Sequence, residues 1–167
     1  MPHAVAHILT PIILLDLYRD RIAKKKFPLI YVMIAGVGGI LPDIDVIVYW
    51  LLNTISGTTL SEVHRMITHT LLVPALILIA ATITYKFSKK MTYAMLAITF
   101  GYLTHLILDY TLTGTIMPFF PFSAAKYGLN IIPATEMGST IVIGIDAIML
   151  TVWLVYDFYK HNIKEFI

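Results

Sequence analysis

The sequence predicts an all-α integral membrane bundle of about five membrane-embedded segments, forming a single domain over residues 1–167. Three observations predict it. Of the 167 residues, 58% are hydrophobic and only 13% charged, with a mean hydropathy of +0.81, whereas a soluble domain carries nearer ~25% charge. Apolar runs recur at roughly the ~20-residue length that crosses a ~30 Å hydrocarbon core. The stretches between them are short, which leaves no room for a separate soluble domain. A formal charge of only +2 does not suit a nucleic-acid surface, so no nucleic-acid partner is expected. The chain has no cysteine, which excludes disulfides and thiolate metal sites. Any metal must therefore be held by imidazole nitrogen and carboxylate oxygen, a donor set that fits Zn, Mn, Fe or Mg.

The first segment, residues 3–18, is apolar except for His3, His7, Thr10 and Asp16, and falls somewhat short of a full span. Its positive charges follow the apolar run instead of preceding it, so it reads as an uncleaved segment with its N-terminus outside. The second stretch, residues 28–52, contains Gly38-Gly39-Ile40-Leu41-Pro42-Asp43-Ile44-Asp45. An ionisable side chain within lipid costs at least ~2.5 kcal/mol, so two in three residues call for a cavity, a partner charge or a metal ion. The glycine pair and Pro42 weaken the helix there, which predicts a break at Pro42-Asp43 lining a cavity. Residues 53–65 form a polar loop. Residues 66–85 and 91–112 each have spanning length, separated by the basic turn Lys86-Phe87-Ser88-Lys89-Lys90. Residues 113–138 carry Gly114, Pro118, Pro121, Gly128, Pro133 and Gly138 and predict an irregular interfacial loop, with Phe119, Phe120 and Phe122 as an interfacial belt. The last span covers residues 139–159.

Charge asymmetry orients these segments. With residues 19–27, 86–90 and 160–167 in the cytoplasm, all of the twelve Lys and Arg except Arg65 and Lys126 lie inside. The start of the first helix and the loops at 53–65 and 113–138 then face away from the cytoplasm. His3, His7, Asp43, Asp45, His64, His69, His105 and Asp109 consequently converge from four segments at one depth near the outer leaflet, with His69 about one turn into the third helix. His161 falls instead in the basic tail.

The spacing of these residues suits metal ligation. His3-x-x-x-His7 and His105-x-x-x-Asp109 each project from one helical face. His64 and His69 lie about 140° apart around a helix, so both reach one centre only if the helix begins between them. Asp43 and Asp45 point apart, so either each binds one of two ions or one of them orients a histidine. Eight candidate ligands exceed the four or so that a single Zn takes, which favours two ions. Arg65 is either a bidentate phosphate clamp or an interfacial anchor. Asp146, about two turns into the last helix, is a candidate partner for a ligand or for a nearby Tyr or Thr, and Glu136 is a further carboxylate in the outer loop.

Taken together, Leu41-Pro42-Asp43-Ile44-Asp45, His64-Arg65-Met66-Ile67-Thr68-His69-Thr70, and Gly101-Tyr102-Leu103-Thr104-His105-Leu106-Ile107-Leu108-Asp109 with Gly114 and Pro121-Phe122-Ser123 make the chain resemble a known family. It is the YdjM-like family of inner-membrane metal-dependent hydrolases, LexA-regulated in some bacteria. The resemblance runs from His3 to about Ser123. That family is distantly similar to zinc-dependent phospholipase C and related nucleases, in which a helical His-x-x-x-Asp supplies metal ligands; His105 and Asp109 occupy the matching positions. The resemblance implies a multi-pass inner-membrane hydrolase assigned by motif.

The reading drawn from residues and resemblance is a metal-dependent phosphoesterase with two divalent ions, Zn foremost and Mn the alternative. Its expected partners are membrane lipid and a lipid or lipid-linked phosphoester substrate. Asp43 or Asp45 would accept a proton, and Arg65 would hold phosphoryl oxygens. The alternative from another class is a metal or proton transporter using the same cluster. A transport pathway needs polar groups across the whole membrane, and only Asp16 and Asp146 are placed to continue one inward.

Overall fold

A computed structural model describes residues 4–24, 26–56, 67–112, 114–133 and 135–161. His3, His64 and Arg65, most of the polar loop at 53–65 and the side chain of His161 lie outside the described residues. The described residues form helices α1 (Ala4–Arg21), α2 (Ile30–Ile40), α3 (Asp45–Ser56), α4 (Leu72–Thr84), α5 (Lys89–Thr111) and α6 (Glu136–His161). A 3-10 turn, Leu41–Ile44, joins α2 to α3 with Pro42 near its start. The helix thus tightens where the Gly-Gly and Pro42 residues predict a break, and Asp43 and Asp45 leave it in different directions.

The polar groups are inside and the apolar ones outside. His7, Asp45, His69, Thr70, His105, Asp109 and Asp146 are buried, while Trp50, Leu51, Ile55, Ile148 and Val152 are each more than 60% exposed. That inversion requires an apolar solvent. Among the described residues, three helices are long and apolar enough to cross a membrane: the continuous run Ile30–Ile55, then Lys89–Thr111 and Glu136–Tyr159. The other two predicted segments differ from expectation. Helix α1 continues past residue 18 to Arg21, because Arg19 turns back toward Asp16 and Asp20 at 3.7 and 3.6 Å and its Nε donates to the Phe27 carbonyl at 2.9 Å. Helix α4 has only 13 residues, or about 20 Å at ~1.5 Å per residue. The run at 66–85 is therefore not one helix, and His69 lies in a turn before α4 instead of one turn inside it.

Helices α2 and α5 run in the same direction. Tyr31 meets Tyr93 edge-on near their starts, with centroids 6.0 Å apart, and His105 meets Gly39 near their ends. Helix α1 runs opposite to both. Small residues permit this closeness: a Cβ on Gly101 would strike the Ala35 carbonyl, and one on Gly39 would strike the His7 carbonyl, with Pro11 Cγ at 3.0 Å. Pro11 also has no N–H to offer the His7 carbonyl four residues back. Among the described helices α6 contacts α1 alone.

Ser88 caps α5, its Oγ accepting from Met91 N at 3.4 Å. At the other end the loop after α5 satisfies carbonyls that the helix leaves open: Leu129, Ile131 and Ile132 N–H donate to Tyr110, Thr111 and Leu112 at 2.7, 3.1 and 3.0 Å. An antiparallel bridge pairs Ile116 with Tyr127 in this otherwise irregular loop. Ile116 packs with Tyr102 and Leu106 in a small core beside Leu41, Val73, Ile77 and Tyr110. This core fixes the last two turns of α5, which carry His105 and Asp109.

Candidate metal centre

Four elements meet at the end of the bundle where α1 begins and α2 and α5 finish. Helix α1 contributes His7, the 3-10 turn Asp43, the turn before α4 His69, and α5 the i, i+4 pair His105 and Asp109. The His69 and His105 side chains are fully buried, those of His7 and Asp109 are 5% and 6% exposed, and Asp43 is the most open at 19%. Asp43 therefore marks the side from which the cluster is reached.

Hydrogen bonds fix which imidazole nitrogens face the centre. His105 Nδ1 lies 2.7 Å from the Gly39 carbonyl, which can only accept, so Nδ1 carries the proton and Nε2 the lone pair. Thr68 Oγ1 donates to Asp45 Oδ2 at 2.8 Å, which uses its one proton, so its 3.0 Å contact with His69 Nδ1 requires a donor on the imidazole. In the neutral ring His69 Nε2 then bears the lone pair. Asp45 lies 3.4 Å from His69 Nδ1, on the far side of the ring from the centre. Of the two roles the spacing leaves open for it, this is the orienting one. Tyr102 completes the arrangement by donating from its hydroxyl to the Thr68 carbonyl, pinning the turn that presents His69.

The two Nε2 atoms stand 3.2 Å apart. Two acceptors at that distance repel unless a cation or a proton lies at them. Carboxylate oxygens flank the pair: Asp43 Oδ1 is 3.5 and 3.7 Å from His69 and His105 Nε2, and Asp109 Oδ2 is 3.4 and 3.7 Å from them. Donors about 2.0–2.1 Å from a tetrahedral ion lie about 3.3–3.4 Å from one another. The spacings among Asp43, His69 and His105 are close to those of one face of such a tetrahedron. His7 Nε2 approaches the other oxygen of Asp109 at 3.5 Å, and its ring stacks on that of His105 with centroids 3.9 Å apart. Among the described residues, Asp43/His69/His105 and His7/His105/Asp109 each bring their donor atoms within 4.8 Å of one another. These buried groups can hold a metal ion, and the imidazole-carboxylate chemistry is that of a borderline divalent cation.

Of the sequence-predicted residues, the fold brings together His7, Asp43, Asp45, His69, His105 and Asp109. Asp146 reaches a different place: it is buried in α6, and its Oδ1 accepts from Ala6 N at 3.1 Å, in the first turn of α1. A carboxylate there satisfies a helix N–H without an intrahelical partner and sits favourably against the helix dipole, next to His7 in sequence. Glu136 is exposed at the first position of α6. Nothing in the sequence alone marks Thr68 as part of the site, and little marks Tyr102. The one available signal was that Tyr102 lies three residues before His105, on the same helical face.

Thr68→Val keeps the side-chain shape but removes the hydroxyl that links Asp45 to His69. It is expected to weaken metal binding by ~10- to 100-fold, the usual cost of losing a partner that orients a ligand. Competition with a chelator of known affinity measures this, and wild-type affinity in Thr68→Val would contradict the proposed orienting chain.

Comparison with known proteins adds one relationship. No curated protein and no solved structure matches the chain. A family model described as YdjM inner membrane protein matches residues 1–164, nearly the whole sequence, and so the chain belongs to the YdjM inner membrane protein family.

Proposed function

We propose that this protein is a membrane-bound, metal-dependent hydrolase that cleaves a phosphoester of a lipid or lipid-linked substrate near the outer surface of the inner membrane. The observation that carries the reading is the pair of buried imidazole Nε2 atoms 3.2 Å apart, flanked by Asp43 and Asp109. A divalent cation, Zn foremost and Mn the alternative, supplies Lewis acidity when bound and makes water acidic enough to ionise near neutral pH. Asp43, His69 and His105 would hold one ion. Asp109 turns Oδ2 toward His69 and His105 and Oδ1 toward His7, and would help hold the same ion or a second one. His3 and His64 are proposed as further ligands.

The remaining roles belong to the chain's own groups. Asp43, the most open carboxylate, takes the proton of the attacking water. Asp45 acts through Thr68 and keeps the His69 lone pair aimed at the centre. Arg65 holds the phosphoryl oxygens in bidentate fashion. His105 and Asp109 lie in the last two turns of α5, only ~5 to 10 Å from the helix end at ~1.5 Å per residue, within reach of a phospholipid headgroup. Headgroup or phosphate release from liposomes by wild type, absent in His69→Ala, tests the reaction.

The orientation follows from charge. The basic residues at the end of α1, in the α1–α2 connection and before and at the start of α5 lie at the end opposite the cluster. The positive-inside rule puts that end in the cytoplasm and the cluster on the other side. In this cysteine-free chain, cysteines at Ser56 and Ser123 are expected to react with an impermeant thiol reagent from outside intact cells. Labelling only after membrane disruption would reverse the orientation.

The transporter alternative is weakened by what Asp16 and Asp146 do. Asp16 faces Arg19 and Asp146 accepts from Ala6 N, so both potential stepping stones across the bilayer have structural partners.

A further inference from the structure

The end of the bundle away from the His/Asp cluster carries a cavity with a different chemistry. It has a volume of about 490 Å³ and lies between the second half of α1, the start of α2 and the first half of α5. That is the size of a small-molecule pocket, ~300–1,000 Å³. Its walls are apolar and aromatic: Leu15, Tyr18, Phe27, Tyr31, Tyr93 and Phe100, with Lys26 on the lining. Tyr18 stacks on Phe27 at 6.4 Å and Tyr31 meets Tyr93 edge-on at 6.0 Å, so the walls are packed in pairs. Arg19 Nε holds the Phe27 carbonyl at 2.9 Å, fixing the segment that closes one side.

Charge identifies the occupant. Arg21 ends α1, Lys24 and Lys26 lie in the α1–α2 connection, and Lys86, Lys89 and Lys90 precede or begin α5. Helices α2 and α5 are parallel and α1 antiparallel to them, so these cations share the end at which the cavity lies. Both apolar runs Ile30–Ile55 and Lys89–Thr111 also start there. An apolar aromatic slot beside clustered cations, at the start of two long apolar helices, complements an amphiphile with a hydrocarbon chain and an anionic head. Basic pockets between membrane helices bind anionic lipid headgroups in this way.

We infer that this cavity is a binding site for one anionic glycerophospholipid, its acyl chain between α1, α2 and α5 and its phosphate at Lys26 and the neighbouring lysines. The site is separate from the His/Asp cluster, and the inference does not rest on the proposed hydrolysis. The bound lipid would brace the α1–α2 connection against α5, holding α1 from the end opposite His7.

Native mass spectrometry of the full-length detergent-purified protein tests this, with phosphatidylglycerol or phosphatidylcholine of identical acyl chains as the probe. The wild type is expected to retain one phosphatidylglycerol at least ~10-fold more strongly than phosphatidylcholine, a preference several cations can supply at about a fewfold each. Lys26→Glu, at an exposed position, is expected to abolish the preference. Leu96→Trp, which fills the cavity and leaves every lysine in place, is expected to prevent retention of either lipid. Equal retention of both lipids by the wild type would overturn the inference, as would an unchanged preference in Lys26→Glu. If Leu96→Trp melts like wild type and still retains the lipid, the headgroup is held at the surface and the cavity assignment fails.

Discussion

Replacing His69 with alanine is expected to strip the centre of its metal. His69 contributes one of the two facing Nε2 atoms and touches both Asp43 and Asp109, so every grouping of donors around it loses an edge. Its removal should cost more than the ~10- to 100-fold that follows loss of an orienting partner. Elemental analysis of purified wild type is expected to find at least one transition metal per chain, and His69→Ala far less. The substitution also removes one buried partner each from Asp43, Asp45 and Asp109, and breaking a buried pair can cost ~3–5 kcal/mol of stability. Asp109→Asn separates the two effects: it preserves size and can still accept a hydrogen bond from His7, but it withdraws the anionic oxygen facing His69 and His105. It is expected to fold and to bind metal poorly. Wild-type protein that is metal-free in every preparation, including after Zn or Mn supplementation, would end the metal assignment.

Turnover on lipid is expected to divide the cluster from Arg65. Wild type should release headgroup or phosphate from liposomes, and His69→Ala should show no release above background. Arg65→Ala should keep its metal and lose ~10²- to 10³-fold in rate, the usual cost of one donor aimed at developing charge on a reacting oxygen. Equal background with wild type and His69→Ala across a broad lipid panel, with metal confirmed in the wild type, would shift the assignment to the transporter.

Which parts of this architecture were legible in sequence follows from the physics of each part. Two carboxylates in an apolar run next to Gly38-Gly39 and Pro42 reveal both a distorted helix and a polar site, because lipid makes each anomaly costly. The i, i+4 spacing of His105 and Asp109 reports a shared helical face directly. The turn holding His69 is hidden in the sequence, since Ile67 and Leu71 extend the hydropathy of α4 backward past its true start at Leu72. The sequence implies an end to α1 at residue 18, because the charges at Arg19 and Arg21 look like a loop. In the fold Arg19 lies at ion-pair distance from both Asp16 and Asp20 along the helix. The Gly39 carbonyl on His105 Nδ1 is a backbone atom, and the sequence says nothing about which carbonyl a ring will meet. Thr68 and Tyr102 look like two of many polar residues in apolar segments until the turn is folded over α5. Asp146 was visible as a costly intramembrane charge, but its partner at Ala6, 140 residues away, was not.

The central claim, that the buried imidazole and carboxylate groups form a divalent metal centre, is tested most directly by X-ray absorption at the metal edge on purified wild-type protein. The account predicts a shell of nitrogen and oxygen at about 2.0–2.1 Å, with the outer scattering of imidazole rings and no sulfur. Loss of the imidazole signal in His69→Ala should accompany it. A shell of water oxygen alone, or imidazole scattering that persists unchanged in His69→Ala, would contradict it.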